Sequence, residues 1–185
     1  MSEIYIEILF IALLILLNGL FALSEMAVVS SRKARLQQRA NEGDDNARVA
    51  LDLANSPNDL LSTVQVGITL IGILAGAFGG ATIAEELALG LHKLPLLAPY
   101  ADAIALGIVV LVITFFSLII GELVPKRLAL NNPERIAAFV AKPMRMLAII
   151  STPMVRLLGF ATDLVLGILR MRVSTEPPVT AEEIT

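Results

Sequence analysis

Cysteine is absent from the chain, which excludes disulfides, thiolate metal sites, cysteine nucleophiles and S-acylation. Histidine is nearly absent too. His92 stands alone between two apolar runs, reads as a solvated loop residue, and offers no ligand set for zinc or haem. Lysine and arginine number 14 in 185 residues and the net charge is −3, so there is no basic footprint for nucleic acid. Charges are also missing from whole stretches of sequence, and those stretches set the class of protein.

Apolar residues make up 56% of the chain, with a mean hydropathy of +0.79, above that of a soluble chain of one-domain length. About 20 apolar helical residues cover the ~30 Å hydrocarbon core of a bilayer. Uncharged runs occupy residues 8–24, continued after Glu25 by 26–31, then 60–84 and 103–121. We expect transmembrane helices over about 6–31, 59–84 and 101–124. A fourth apolar region, 146–169, is interrupted by Arg156, Asp163 and Pro153. It is expected to lie along the membrane surface or re-enter it, not to cross cleanly.

The first run is flanked by Glu3 and Glu7 and carries no small-residue cleavage site, so it is a retained helix, not a signal peptide. Arg32, Lys33, Arg35, Arg39 and Arg48 follow the first span. Lys126, Arg127, Arg135, Lys142, Arg145, Arg156, Arg170 and Arg172 follow the third, and only Lys93 lies between the second and third. Thirteen of the 14 basic residues thus share one side, which is the cytoplasmic side of an inner (plasma) membrane, with the N-terminus outside and the C-terminus in the cytoplasm. Residues 31–58 are polar with alanine and leucine at helical spacing, and predict cytosolic helices joined near Gly43, followed by a helix start at Pro57. Asn132-Pro133-Glu134 opens an amphipathic interfacial helix with Ile136, Phe139 and Val140 on one face. The expectation is an all-α membrane protein in contact with membrane lipid. It has three transmembrane helices and a cytosolic-side amphipathic juxtamembrane (belt) region over about 133–172.

Hydrogen-bonding and ionisable groups cost several kcal/mol in hydrocarbon, so those that persist usually face protein or a water-filled cavity. The first span holds Asn18, Ser24 and Glu25; the second Ser62, Thr63, Gln65 and Thr69; the third Thr114, Ser117 and, at its end, Glu122. With the spans alternating in direction, Ser24, Ser62 and Glu122 reach the same inner level. Ser62, Gln65 and Thr69 form one stripe, and Thr114, Ser117 and Gly121 another. Pro125 has no N–H, which leaves the Gly121 carbonyl without its helical donor. A hard cation suits such an oxygen beside a carboxylate and hydroxyls. The alternative is a kinked helix end with Glu122 reaching toward water or pairing with Lys126. Serine and threonine also bond back to their own helix. Gly72-x-x-x-Gly76-x-x-x-Gly80, with Ala75 and Gly79 beside it, predicts close helix packing within the subunit or across a dimer.

Three segments together resemble the CorC/CNNM magnesium transporter family. They are Asn18-Gly19-Leu20-Phe21-Ala22-Leu23-Ser24-Glu25-Met26-Ala27, Leu61-Ser62-Thr63-Val64-Gln65-Val66-Gly67-Ile68-Thr69-Leu70, and Gly121-Glu122-Leu123-Val124-Pro125-Lys126. The resemblance implies a transmembrane domain over 1–172 that forms a homodimer. It further implies a Mg²⁺ site facing the cytosol in each subunit, and export coupled to Na⁺ influx. Carried over, the ligands are the side chains of Ser24, Ser62 and Glu122 and the Gly121 carbonyl, with Asn18, Glu25 and Thr63 adjacent. Relatives of this type continue into cytosolic CBS domains, so 173–185 is expected to be a linker toward a region this sequence does not contain. A different class, a Mg²⁺ sensor or regulatory scaffold that moves no ion, would use the same residues. An intramembrane enzyme is disfavoured, because no Ser/His pair or paired aspartates lie in the spans.

Overall fold

The computed structural model describes residues 2–168; the end of the expected juxtamembrane region, 169–172, and the linker 173–185 lie outside the described residues. An apolar run without proline carries α1 from Ser2 to Ser30, roughly 43 Å of rise. Two short polar helices follow, α2 (Lys33–Asn41) and α3 (Asp45–Asn55). Their joint is at Gly43, whose φ of 95° is left-handed, a conformation open to glycine at no steric cost. Pro57 stands in the first turn of α4 (Pro57–Phe78), where a missing N–H goes unnoticed.

A π-helical turn, Gly79–Ile83, carries α4 without a break into α5 (Ala84–Leu91). After a short connection, α6 (Ala101–Leu118) continues through a second π-helical turn, Ile119–Leu123, into α7 (Val124–Asn131). The chain therefore does not end its third apolar helix at Pro125. The π-turn shifts the register so that the Val124 N–H reaches the Ile119 carbonyl, and Pro125 falls at the start of α7, where no donor is required. The last helix, α8, spans Pro133–Ile168.

α1 is the hub, packing against α4, α7, α8 and the second π-turn. Its Ile11, Leu14, Ile15, Phe21 and Val28 are buried with Leu60, Val64 and Ile71 of α4 and with Val140 and Met144 of α8. The Phe21 ring lies over Gly67, where a Cβ would come within 2.8 Å of it. Ala47, Ala50 and Ala54 of α3 and Ala137, Ala138 and Ala141 of α8 are all buried, and small side chains let these neighbouring helices approach closely. Glu134, 7% exposed, ties the start of α8 to the joint between α1 and α2. Its carboxylate accepts from the Arg32 N–H at 3.3 Å and lies 3.9 Å from Arg35 Nη1, while its carbonyl accepts from Arg39 Nη1.

Among the described residues four helical stretches are long and apolar enough to cross a membrane: Ile4–Ser30, Leu60–Leu91, Ala98–Asn131 and Pro133–Ile168. The fourth contains the apolar region after residue 146 that is expected to lie along the membrane surface or re-enter it. Pro143 and Pro153 sit inside a single unbroken helix, because each proline removes only one donor from a ladder of 36 residues and long apolar helices tolerate that loss. The apolar face of α8 is shared between protein and surroundings. Val140 is buried but Phe139 is 78% exposed, and the buried stripe is Glu134, Ala137, Ala138, Val140, Ala141 and Met144. Past Met144 no described residue of α8 is buried.

Asp44 fixes the start of α3. Its carboxylate accepts from the backbone N–H groups of Asn46 and Ala47 at 3.0 and 3.1 Å and from Arg39 Nη2 at 2.7 Å. The Ala47 N–H, more than the Arg39 guanidinium, holds the carboxyl below its ordinary range. A depressed carboxylate stabilises the fold above its unfolded value, and the benefit is lost as pH falls through the lower folded value. Acidification below about pH 4 should therefore lower the amide protection factors of Asn46 and Ala47, taken relative to the intrinsic exchange rate at each pH, and Asp44→Ala should lower them likewise at neutral pH.

Candidate functional site

The Asn18-Gly19 step of α1 meets the second π-turn at backbone distance. A Cβ on Gly19 would lie 3.0 Å from the Ile120 carbonyl oxygen and 3.1 Å from Pro125 Cγ; one on Gly121 would lie 3.0 Å from Asn18 Nδ2 and 3.3 Å from the Ile15 carbonyl oxygen. Two glycines facing each other make this approach sterically allowed. Asn18 Nδ2 then donates to the Gly121 carbonyl at 3.0 Å. The carbonyl that the missing N–H of Pro125 cannot serve thus takes a donor from α1. Asn18 Oδ1 is enclosed and accepts no hydrogen bond.

Two turns further along α1, Glu25 faces the same segment. Lys126 Nζ lies 2.7 Å from Glu122 Oε1 and 3.8 Å from Glu25 Oε2. One ammonium therefore bridges carboxylates from two different helices, and all three side chains are partly buried. The alternative pairing of Glu122 with Lys126 is the one present, and Glu25 belongs to it as well. Among the described residues no three His, Cys, Asp or Glu side chains come together. A cation here would thus need hydroxyl and carbonyl oxygens beyond the two carboxylates.

Ser24 is fully buried and donates to the Leu20 carbonyl at 2.7 Å, the back-bond to residue i−4 open to any helical serine; the oxygen keeps lone pairs free. Thr63 is 3% exposed and lines a cavity of about 460 Å³ between α3, α4 and α8, shared with Asp52, Arg145, Thr152 and Arg156. Ser62 is on the exposed side of α4, together with Gln65 and Thr69. The structure therefore joins Asn18 to Gly121 and Glu25 to Glu122. It buries Ser24 and Thr63, and leaves Ser62 facing outward.

A second polar contact on α1 is not legible in the sequence. Glu7 Oε1 accepts from Thr82 Oγ1 at 2.9 Å, and Glu7 Oε2 is enclosed with no partner. Thr82 belongs to the first π-turn, so each π-turn presents a polar group to α1. Sequence position marks Glu7 only as a flanking charge. The one signal for its partner is a lone threonine among small residues, too weak to select it.

The helices and their polar seam define a multi-pass, all-helical membrane protein with Glu25, Glu122 and Lys126 gathered between α1 and the start of α7. The family description "Cyclin M transmembrane N-terminal domain" matches residues 8–185, and the chain belongs to this CNNM family. It is 51% identical over 183 residues to UPF0053 protein sll0260 of Synechocystis, covering 99% of this chain and 41% of that protein. It is 28% identical over 185 residues to the polyamine export protein of Haemophilus influenzae, covering 98% and 42%. The Escherichia coli K12 polyamine export protein is 26% identical over 178 residues, covering 96% and 40%. The chain spans about two fifths of the length of these curated relatives.

Replacing Asn18 by leucine removes the donor from a carbonyl that Pro125 cannot satisfy. An unmet buried acceptor costs about 1–3 kcal/mol, so Asn18→Leu should lower unfolding stability by that order in a reversible denaturant titration in detergent.

Proposed function

We propose that this chain is the membrane domain of a transporter that moves Mg²⁺ out of the cytosol. The observation that carries this reading is the pair of carboxylates, Glu25 and Glu122, sharing one cation beside the Asn18–Gly121 seam. Mg²⁺ takes oxygen ligands in octahedral geometry near 2.0–2.1 Å. The carboxylates, the Ser24 hydroxyl, the Gly121 carbonyl and the unpartnered Asn18 Oδ1 are oxygens of that kind. Ser62 and Thr63 are further oxygens assigned to the ion, Ser62 from the exposed side of α4 and Thr63 from the cavity between α3, α4 and α8. Retained waters complete the shell, since Mg²⁺ sheds water reluctantly. The charge asymmetry of the flanking segments supports a cytosolic position for this end of the helices and an external N-terminus. Na⁺ influx is the coupling assigned to export.

We further assign a homodimer through the outward face of α4. A Cβ at Gly72 or Gly76 would meet nothing within 4 Å, whereas Gly79 faces Ile113 and Val109 of α6. The small residues of the α4 stripe thus divide. Ala75 and Gly79 are buried within the protomer, while Gly72 and Gly76 remain free for a second copy. The second half of α8, with exposed Arg156 and Asp163, is assigned to the cytosolic membrane surface as a belt. The region beyond residue 185 in longer relatives is assigned to cytosolic CBS domains. Gly72→Leu together with Gly76→Leu should convert cross-linkable dimers into monomers in nanodiscs, with helicity unchanged.

One observation favours a second reading. The carboxylate pair already accepts a primary ammonium at 2.7 Å, and two relatives are named polyamine export proteins; a polyamine presents the same group. Proteoliposomes with a trapped Mg²⁺ indicator separate the cases. Mg²⁺ flux in the wild type that disappears in Glu122→Gln, together with loss of Mg²⁺-dependent thermal stabilisation, supports the first reading. Spermidine flux without Mg²⁺ flux selects the second. Stabilisation by Mg²⁺ without any flux makes the domain a sensor.

A further inference from the structure

Lys126 follows Pro125 in the first turn of α7. Pro125 is buried, with its ring 3.1 Å from the position a Gly19 Cβ would take, so the backbone from which the lysine springs is pinned against α1. The ammonium reaches back to Glu122 and across to Glu25. Its side chain is 28% exposed, and its four-carbon stem is flexible. A rotamer change alone would carry the charge from the carboxylates to water.

Two half-buried carboxylates that share one ammonium repel each other, and the positive charge between them offsets that repulsion. In this structure the chain supplies that charge itself. A divalent ion entering the pair would bring two positive charges to a place that already has one, a few ångströms away. The ion and the ammonium therefore compete for the same oxygens.

We propose that Lys126 is a tethered cation: it occupies the Glu25–Glu122 pair when no cargo is bound, is displaced when the cargo ion enters, and returns to drive the ion off. This inference rests on the cation-transport reading above. The lysine weakens binding and speeds release. It leaves the carboxylates paired with a positive charge during the empty stage of the cycle, so that the return step does not carry two unpaired negative charges. A purely structural lysine predicts the opposite sign, because losing it would let Glu122 drift and would weaken the site.

The test uses the whole chain in lipid nanodiscs with Mg²⁺ as the probe. Removing a unit charge a few ångströms from a bound ion should tighten binding about tenfold or more. Lys126→Met should therefore lower the half-saturating Mg²⁺ concentration by that factor in a thermal-shift titration while slowing Mg²⁺ flux in liposomes, and Lys126→Arg should stay near the wild type. Acylation of the wild-type Lys126 amine, followed by mass spectrometry, needs no variant and so does not depend on a variant folding. It should accelerate as Mg²⁺ is added, and not with Na⁺ at matched ionic strength. Mg²⁺ binding to the wild type with unchanged or weaker binding in Lys126→Met, or with no change in Lys126 acylation, overturns the tether and leaves the cation site standing. No Mg²⁺ binding by the wild type or either variant overturns the Mg²⁺ site itself and the tether with it.

Discussion

The contact on which the rest of the site depends is the approach of α1 to the second π-turn. Gly19 and Gly121 bring two backbones together at a distance that a Cβ on either would disturb. At that distance Asn18 reaches the Gly121 carbonyl, beside the π-turn that places Pro125 at the start of α7. Pro125 in turn sets where Lys126 begins, and hence where its ammonium falls between Glu25 and Glu122. Steric permission, one hydrogen bond, one missing donor and one shared charge depend on each other in that order.

Both π-turns face the same helix. Gly79–Ile83 presents Thr82 to Glu7, and Ile119–Leu123 presents Gly121 to Asn18. A π-turn adds one residue to a helical turn, rotates the residues beyond it about the axis, and is found often at functional sites. Here it lets long apolar helices offer polar groups to α1 without breaking. Membership of the CNNM family agrees with a membrane domain, and Glu25, Glu122 and Lys126 meet between its helices. Two acids and one base leave the cluster with a single net negative charge, enough to attract a cation but reduced by an internal one.

Much of the fold is legible in the residues themselves. The apolar runs mark α1, α4 and α6, Gly43 marks the joint of α2 and α3, and Pro57 marks the start of α4, because length, a left-handed φ and a missing N–H are local properties. The failures are non-local. Pro125 and Pro153 look like stops, but a π-turn absorbs the first and a long helix tolerates the second. Spacing along α4 groups Ser62 with Gln65 and Thr69 and sets Thr63 apart, but packing decides that the stripe faces outward and Thr63 is buried.

By itself, then, the sequence determined the membrane class, the family, the helical segments and the inventory of polar groups carried by each apolar run, since composition and periodicity act within one segment. Only the tertiary structure decided which of those groups meet. Asn18 and Gly121 are separated by 103 positions, and the pairing of Glu25 and Glu122 around Lys126 depends on how α1 lies against α7. Those relations arise from close packing between helices, where a glycine or a π-turn on one helix sets what the other can touch.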